Sequence, residues 1–259
     1  MMIGAVLLSA VGVLGAQEPP ASLNAAADWT KDPNVSDVDG VLNVKKQTRI
    51  FSAKFDIDPS KKYTLKFSCR TVNAEKDGDR SLIFAGFAVF DKNGREMNSY
   101  NCCVVPDTMT EVVEDAPKGA KVIKLKDCSK FKKPYGTLAA DAKEDLSDLP
   151  NYNFLGYISD FASKDGVWEV SLLYPLNRPV KAGTAVREHM RGGYLYTAGV
   201  KSTGKDWLTM SGTITGMSKG SWNGRVWPAG AVKAQVVILS NWNNKKLETQ
   251  FKDISLTVK

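Results

Sequence analysis

A chain of 259 residues that is 43% apolar and 24% charged carries enough hydrophobic material for a packed core, which excludes a disordered or fibrous protein. Its 35 Lys and Arg against 28 Asp and Glu leave a net charge of +7. The excess is spread over pairs beside turns (Lys45 and Lys46, Lys61 and Lys62, Lys132 and Lys133, Lys245 and Lys246), so it gives no ground for a nucleic-acid partner.

The chain opens on an apolar run over residues 3–14, about a dozen residues where a membrane span needs roughly 20. Gly15 and Ala16 follow, then Gln17, Glu18, Pro19 and Pro20. This is the layout of a secretory signal peptide over residues 1–16, although no Lys or Arg precedes the run; the alternative is a buried N-terminal helix. The expectation is an exported protein, secreted or periplasmic. No later stretch is apolar enough over sufficient length to cross a membrane as a helix, so no integral membrane segment is expected in the mature chain.

From Arg49 onward the pattern has period two. Phe51, Ala53, Phe55 and Ile57 share one side, residues 58–62 form a turn, and Tyr63, Leu65, Phe67 and Cys69 resume the alternation. The spacing predicts a hairpin with one buried and one wet face. Residues 81–90 are apolar on both faces and predict a central strand, ended by a turn at Asp91-Lys92-Asn93-Gly94. Residues 121–125 read as a strand, residues 131–150 as loop with one helical turn at most, and residues 166–174 as another strand.

Strands return at residues 207–216, 231–241 and 247–258, where the step of three from Phe251 to Ile254 predicts a bulge at Lys252 or Asp253. Ten or more strands without interleaved helices predict an all-β, two-sheet antiparallel sandwich. One domain over residues 17–259 accommodates them, with residues 105–200 as an irregular elaboration.

Four cysteines, Cys69, Cys102, Cys103 and Cys128, lack zinc-site spacing. Cys69 is in phase with Tyr63, Leu65 and Phe67, so it is either a buried thiol or, export permitting, the partner of one member of the adjacent pair.

Two segments carry a resemblance. Residues 55–67, with Pro59 in the turn and Tyr63, Leu65 and Phe67 after it, are similar to a hairpin of many sugar-binding jelly rolls. Phe251-Lys252-Asp253-Ile254-Ser255-Leu256 resembles the closing strand of the same folds, and residues 207–212 and 234–238 fit their penultimate strands. The chain thus resembles the galactose-binding-like domains, which include xylan- and glucan-binding carbohydrate-binding modules. The resemblance covers about half of the mature chain, at its two ends. It implies a jelly roll that binds a polysaccharide or other glycan. It also implies a structural Ca²⁺ with Asp253 among its oxygen ligands; the alternative for Asp253 is a solvated or bulge-capping carboxylate.

Sugar binding needs flat apolar faces with polar groups beside them. Trp222 lies in a loop of small residues with Asn223 and Arg225 next to it, and serves either as a ligand platform or as an anchor of that loop. Trp242, between Asn241 and Asn243, is similar, and Tyr194 and Tyr196 share one face of a short strand. Trp168, Trp207 and Trp227 read as core.

A glycosidase needs two carboxylates about 5–10 Å apart. Glu111, Glu114 and Asp115 lack the strand period for that, while Glu144, Asp145 and Asp148 fall in a loop. Arg187, Glu188 and His189 could do acid–base work in a lyase, or form an exposed strand end of mixed charge. The expectation is a non-catalytic glycan binder. The alternatives are a structural or adhesive surface protein, and a glycoside hydrolase or polysaccharide lyase.

Overall fold

The alternation read from the sequence is realised in a computed structural model that describes residues 17–75, 78–132 and 136–259. The expected signal segment, 1–16, lies outside the described residues. In chain order the strands are β1 (Val35–Val38), β2 (Val41–Lys45), β3 (Thr48–Phe51), β4 (Phe55–Asp56), β5 (Lys62–Thr71), β6 (Ser81–Asp91) and β7 (Glu96–Met97). A single helical turn, α1 (Ser99–Cys102), follows. Then come β8 (Thr110–Glu111), β9 (Val122–Leu125), β10 (Thr137–Ala140), β11 (Phe154–Lys164), β12 (Val167–Leu172) and β13 (Ala185–His189). The last are β14 (Leu195–Thr203), β15 (Leu208–Thr215), β16 (Ala231–Ser240) and β17 (Glu248–Val258).

Two antiparallel sheets form a β-sandwich. The first has the order β1-β2-β17-β5-β15, the second β14-β6-β16-β3, with β4 added to β16 and β7 to β6. Their inner faces interlock: Tyr63, Leu65, Phe67 and Cys69 of β5 and Phe251 of β17 face Ile83, Ala85, Phe87 and Val89 of β6 and Val236 and Ile238 of β16. Trp227 closes one end of this core, 5.3 Å from Tyr63 and 5.2 Å from Phe87 between ring centres. Each large side chain so buried contributes about 1.5–3 kcal/mol.

The expected 51–57/63–69 hairpin is not one. β3 and β4 pair with β16 in the second sheet, while β5 pairs with β15 and β17 in the first. The connection crosses from one sheet to the other, held by the Asp58 N–H donating to the Tyr63 hydroxyl at 2.8 Å. Alternation fixes which face a residue takes but not which strand lies beside it. Ala53 and Lys54, exposed between β3 and β4, also break the phase, so Ile50 and Phe55 point inward and Phe51 outward.

The middle of the chain is not irregular. β8 to β13 form a third sheet, β8-β13-β10-β11-β12-β9. Its two ends meet: Val112 bridges Leu125, the Val113 N–H donates to the Lys124 carbonyl at 3.0 Å, and the Lys126 N–H to the Glu111 carbonyl at 2.9 Å. The sheet therefore closes into a small barrel filled by Ile123, Leu125, Leu138, Ile158, Val170, Leu172 and Val186. β10, within the stretch expected as loop, is buried throughout and short, so it lacks the alternation that marks a half-wet strand. Entry to and exit from the barrel run side by side, Val104 bridging His189 and the Met190 N–H donating to the Cys103 carbonyl at 2.7 Å.

All four cysteines are buried free thiols, so the Cys69 disulfide is not formed. Cys69 faces the sandwich core beside Met210, whereas the Cys103 thiol is turned to the Trp222 carbonyl at 3.2 Å. Among the described residues no helix is long and apolar enough to cross a membrane.

Candidate functional site

The second sheet has an apolar outer face as well as an inner one, because β6 and β16 carry hydrophobic residues at both phases. Phe84, Ala88 and Phe90 of β6, Val237 and Leu239 of β16, Phe51 of β3, and Tyr194 and Tyr196 at the start of β14 form a cluster of their own on that face. Phe51 and Tyr194 meet edge to face at 5.8 Å and Tyr194 and Tyr196 at 6.1 Å, while Tyr196 and Phe84 are tilted against each other at 5.1 Å. Phe51, Phe84 and Tyr196 are half-buried and keep part of each ring open, while Tyr194 and Phe90 are buried beneath.

Cations sit at the margins of this strip. The Arg49 guanidinium lies 5.2 Å from the Phe51 ring centre and 5.8 Å from that of Tyr194, and its Nη1 donates to the Tyr194 hydroxyl at 2.7 Å. Lys54 Nζ stands 3.7 Å from the Phe90 ring centre. Burial pushes the Tyr196 phenol up to about 12. It raises Tyr194 as well, helped by Glu96 and opposed by Arg49. Both hydroxyls therefore stay protonated at neutral pH and can donate hydrogen bonds.

Tyr196 reaches this face through a bulge. Leu195 pairs with Phe87 and Gly199 with Ala85, so Tyr196, Thr197 and Ala198 together oppose Gly86. A side chain at residue 86 has no room: a Cβ there would lie 1.8 Å from the Leu195 carbonyl oxygen.

Of the residues singled out from sequence, Tyr194 and Tyr196 are brought together on this face. Trp242 lies just past the end of β16, 40% exposed, with its backbone N–H donating to the Leu82 carbonyl at 3.1 Å. Trp222 is elsewhere and acts as the loop anchor: its indole N–H donates to the Val226 carbonyl at 2.9 Å, its backbone N–H to the Cys102 carbonyl at 3.0 Å, and its ring packs on the sandwich core. Asn223 and Arg225 are exposed on the same turn, the Asn223 side chain accepting from the Arg225 N–H at 3.1 Å. They do not join the tyrosines. Trp227 is core, as expected, while Trp168 and Trp207 are only half-buried.

Asp253 is exposed at the left-handed position of the predicted bulge, φ 55°, between Lys252 and Ser255. Among the described residues no group of three His, Cys, Asp or Glu side chains is placed to hold a metal.

Arg187, Glu188 and His189 do not form an exposed strand end; all three are buried where the barrel meets the sandwich. Arg187 donates to Asp148, the Lys143 carbonyl and His189, and Glu188 accepts from the N–H groups of Lys132 and Gly136. Their hydrogen bonds are spent inside the protein.

Sequence reading missed Arg49, Phe51, Lys54, Phe84 and Phe90. For Phe84 and Phe90 the signal was the two-faced apolar run at residues 81–90, which reads as burial on both sides; Arg49, Phe51 and Lys54 lie outside it.

No family model matches the chain, and no curated protein matches it. A solved structure similar to it is the "Putative glycosyl hydrolase" of Parabacteroides distasonis ATCC 8503, at 12% identity and a TM-score of 0.28, spanning 89% of this chain and 93% of that one. So slight a likeness carries no argument about this chain.

Proposed function

We propose that this protein is an exported, non-catalytic carbohydrate-binding β-sandwich of the jelly-roll kind, which holds a polysaccharide across the outer face of its second sheet. One observation carries the reading: five aromatic side chains from three strands and their flanks lie together on a sheet face, with three of the rings part-open to solvent. The C–H faces of a pyranose pack on such rings. The Tyr hydroxyls and the Arg49 guanidinium supply polar partners at the edge of the strip, and Gln235, half-buried between Ala88 of β6 and the margin, adds another. Ring edges locked against one another lose little freedom when a ligand docks. The buried, internally bonded state of Arg187, Glu188 and His189 supports binding without turnover at that trio.

Affinity electrophoresis against a panel of neutral and acidic glycans tests the reading. Retardation by at least one glycan is expected, falling about tenfold in affinity in Phe84→Ala and Tyr196→Ala and unchanged in a Trp242→Ala variant that leaves the strip intact. Equal retardation of the parent and both strip variants would overturn the assignment, and release of reducing ends or unsaturated uronate would overturn its non-catalytic part.

A further inference from the structure

On the opposite side of the sandwich, the outer face of the first sheet is polar, and one aromatic stands in it. Trp207 immediately precedes β15, whose Leu208 pairs with Cys69, so Trp207 lies beside Arg70 on the outward phase of β5. On the other side of β5, Lys252 is paired with Ser68. Ser68 is short, and its hydroxyl is tied to Thr209 at 3.2 Å, so the Lys252 side chain passes over it. The result is one indole holding two cations: Arg70 Cζ is 4.6 Å and Lys252 Nζ 4.5 Å from the Trp207 ring.

Two like charges gathered on one ring repel each other, and the ring quadrupole offsets only part of that. Arg70 spends its Nε on Gln250 at 2.9 Å, and among the described residues neither Arg70 nor Lys252 forms an ion pair with a carboxylate. Beside Trp207 opens a cleft of about 600 Å³, bordered by Arg80, Lys205, Asp79, Asp206 and the backbone of residues 202–204. The lining of the cleft carries two cations and two carboxylates; Arg70 and Lys252 lie outside that lining, against the Trp207 ring. The cleft's volume suits a short oligosaccharide.

We infer that Trp207, Arg70 and Lys252 form a second binding site, for an anionic saccharide that packs against the indole from the cleft and whose carboxylate or sulfate group is held by the two cations. The inference goes beyond the aromatic strip and uses none of its residues. It gives the protein two sugar-binding faces of different character, one apolar and one cationic.

Titration calorimetry of the intact protein with tetragalacturonate, a sulfated galactan tetrasaccharide and cellotetraose tests it. At least one anionic probe binds, about tenfold more weakly in 300 mM than in 50 mM NaCl. Trp207→Ala and the double variant Arg70→Gln/Lys252→Gln each weaken that binding at least tenfold, while Tyr196→Ala changes it less than twofold. The double variant, which leaves the indole in place, carries the test should Trp207→Ala fail to fold. Absence of binding by both anionic probes, or binding indifferent to Arg70→Gln/Lys252→Gln, overturns the inference. Weakening by Tyr196→Ala alone places the sugar on the aromatic strip and overturns the second site while sparing the first. Loss only in the Trp207 and Arg70/Lys252 variants upholds the second site, whatever becomes of the strip.

Discussion

Arg187 donates from Nε to Nε2 of His189 at 3.0 Å, which leaves the imidazole Nδ1 as the donor to the Tyr100 carbonyl at 2.9 Å. The ring is thus a neutral, single-tautomer strut between the last barrel strand and α1, and a proton on Nε2 would face the guanidinium. Burial, seconded by Arg187, pushes the His189 pKa down from 6.5 to about 4, against the opposing pull of the Tyr100 carbonyl and Asp148. A depressed His pKa means that the unfolded chain binds the proton first. Its stabilising contribution is whole above about pH 6.5 and is lost as the pH falls toward about 4, by on the order of 2–3 kcal/mol. Glu188, raised by burial, works in the opposite direction, so the difference between parent and variant isolates the histidine. Urea unfolding at pH 7.5 and 4.5 should show His189→Gln losing less stability than the parent on acidification. Parallel losses in the two proteins would contradict the neutral strut.

Gly86 links the fold to the candidate site. The three-residue bulge opposite it carries Tyr196 onto the aromatic face, and a Cβ would lie 1.8 Å from the Leu195 oxygen. Gly86→Ala should therefore cost roughly 1–3 kcal/mol, as overpacking does, and should displace Tyr196 enough to abolish glycan retardation. Gly94→Ala is the control. Its φ of 76° strains a β-turn, but nothing stands within 4 Å of the new methyl group, so stability falls by about 1 kcal/mol and binding is kept. Equal binding by Gly86→Ala and the parent would show that the bulge does not position the tyrosine.

The buried thiols make a chemical prediction about the core. Burial pushes Cys69, Cys102 and Cys128 up to about 12 and raises Cys103 as well. At pH 8 the reactive thiolate is scarce and shielded. An alkylating reagent in native buffer should label none of the four within the time that labels all four in urea. Rapid native labelling of Cys69 would show that the two sheets do not pack as described.

The strands of the sandwich were legible because one wet face imposes a period of two, and the bulge at Lys252 and Asp253 was legible because Phe251 and Ile254 break that period. Pairing was not. The turn at Asp58 to Lys61 fits a crossing between sheets as well as it fits a hairpin, and nothing in β5 announces that β15 and β17 flank it. The barrel was only half legible: β9 and β12 read as strands, whereas β10 is buried throughout, which removes the alternation, and β11 keeps no strict period of two. On the aromatic strip, Tyr194 and Tyr196 share one face, as their spacing predicts. Phe84 and Phe90 were hidden in a run whose second apolar face reads like core; Phe51 was placed on the side of Phe55 because the phase slip at Ala53 leaves no mark in the sequence, and Arg49 carried no signal of its own. Trp222 takes the anchor position that was one of its two readings: a small-residue loop has no core of its own, and this one packs its indole onto the sandwich and donates the indole N–H to the Val226 carbonyl.

Arg49 separates a role in binding from one in folding. Its side chain is exposed, so removing it should change global stability by no more than about 1 kcal/mol. Yet the same guanidinium lies against Phe51 and Tyr194 and bonds the Tyr194 hydroxyl, bracing two rings of the strip. Lysine keeps the charge but offers a compact ammonium in place of a flat, forked group. Arg49→Lys should therefore weaken glycan affinity several-fold with an unchanged melting temperature, and Arg49→Ala should weaken it further. The measurement is a binding isotherm beside a thermal melt for each variant. Full affinity in Arg49→Lys would mean that charge alone suffices there, and that the rings of the strip hold their places without the planar brace.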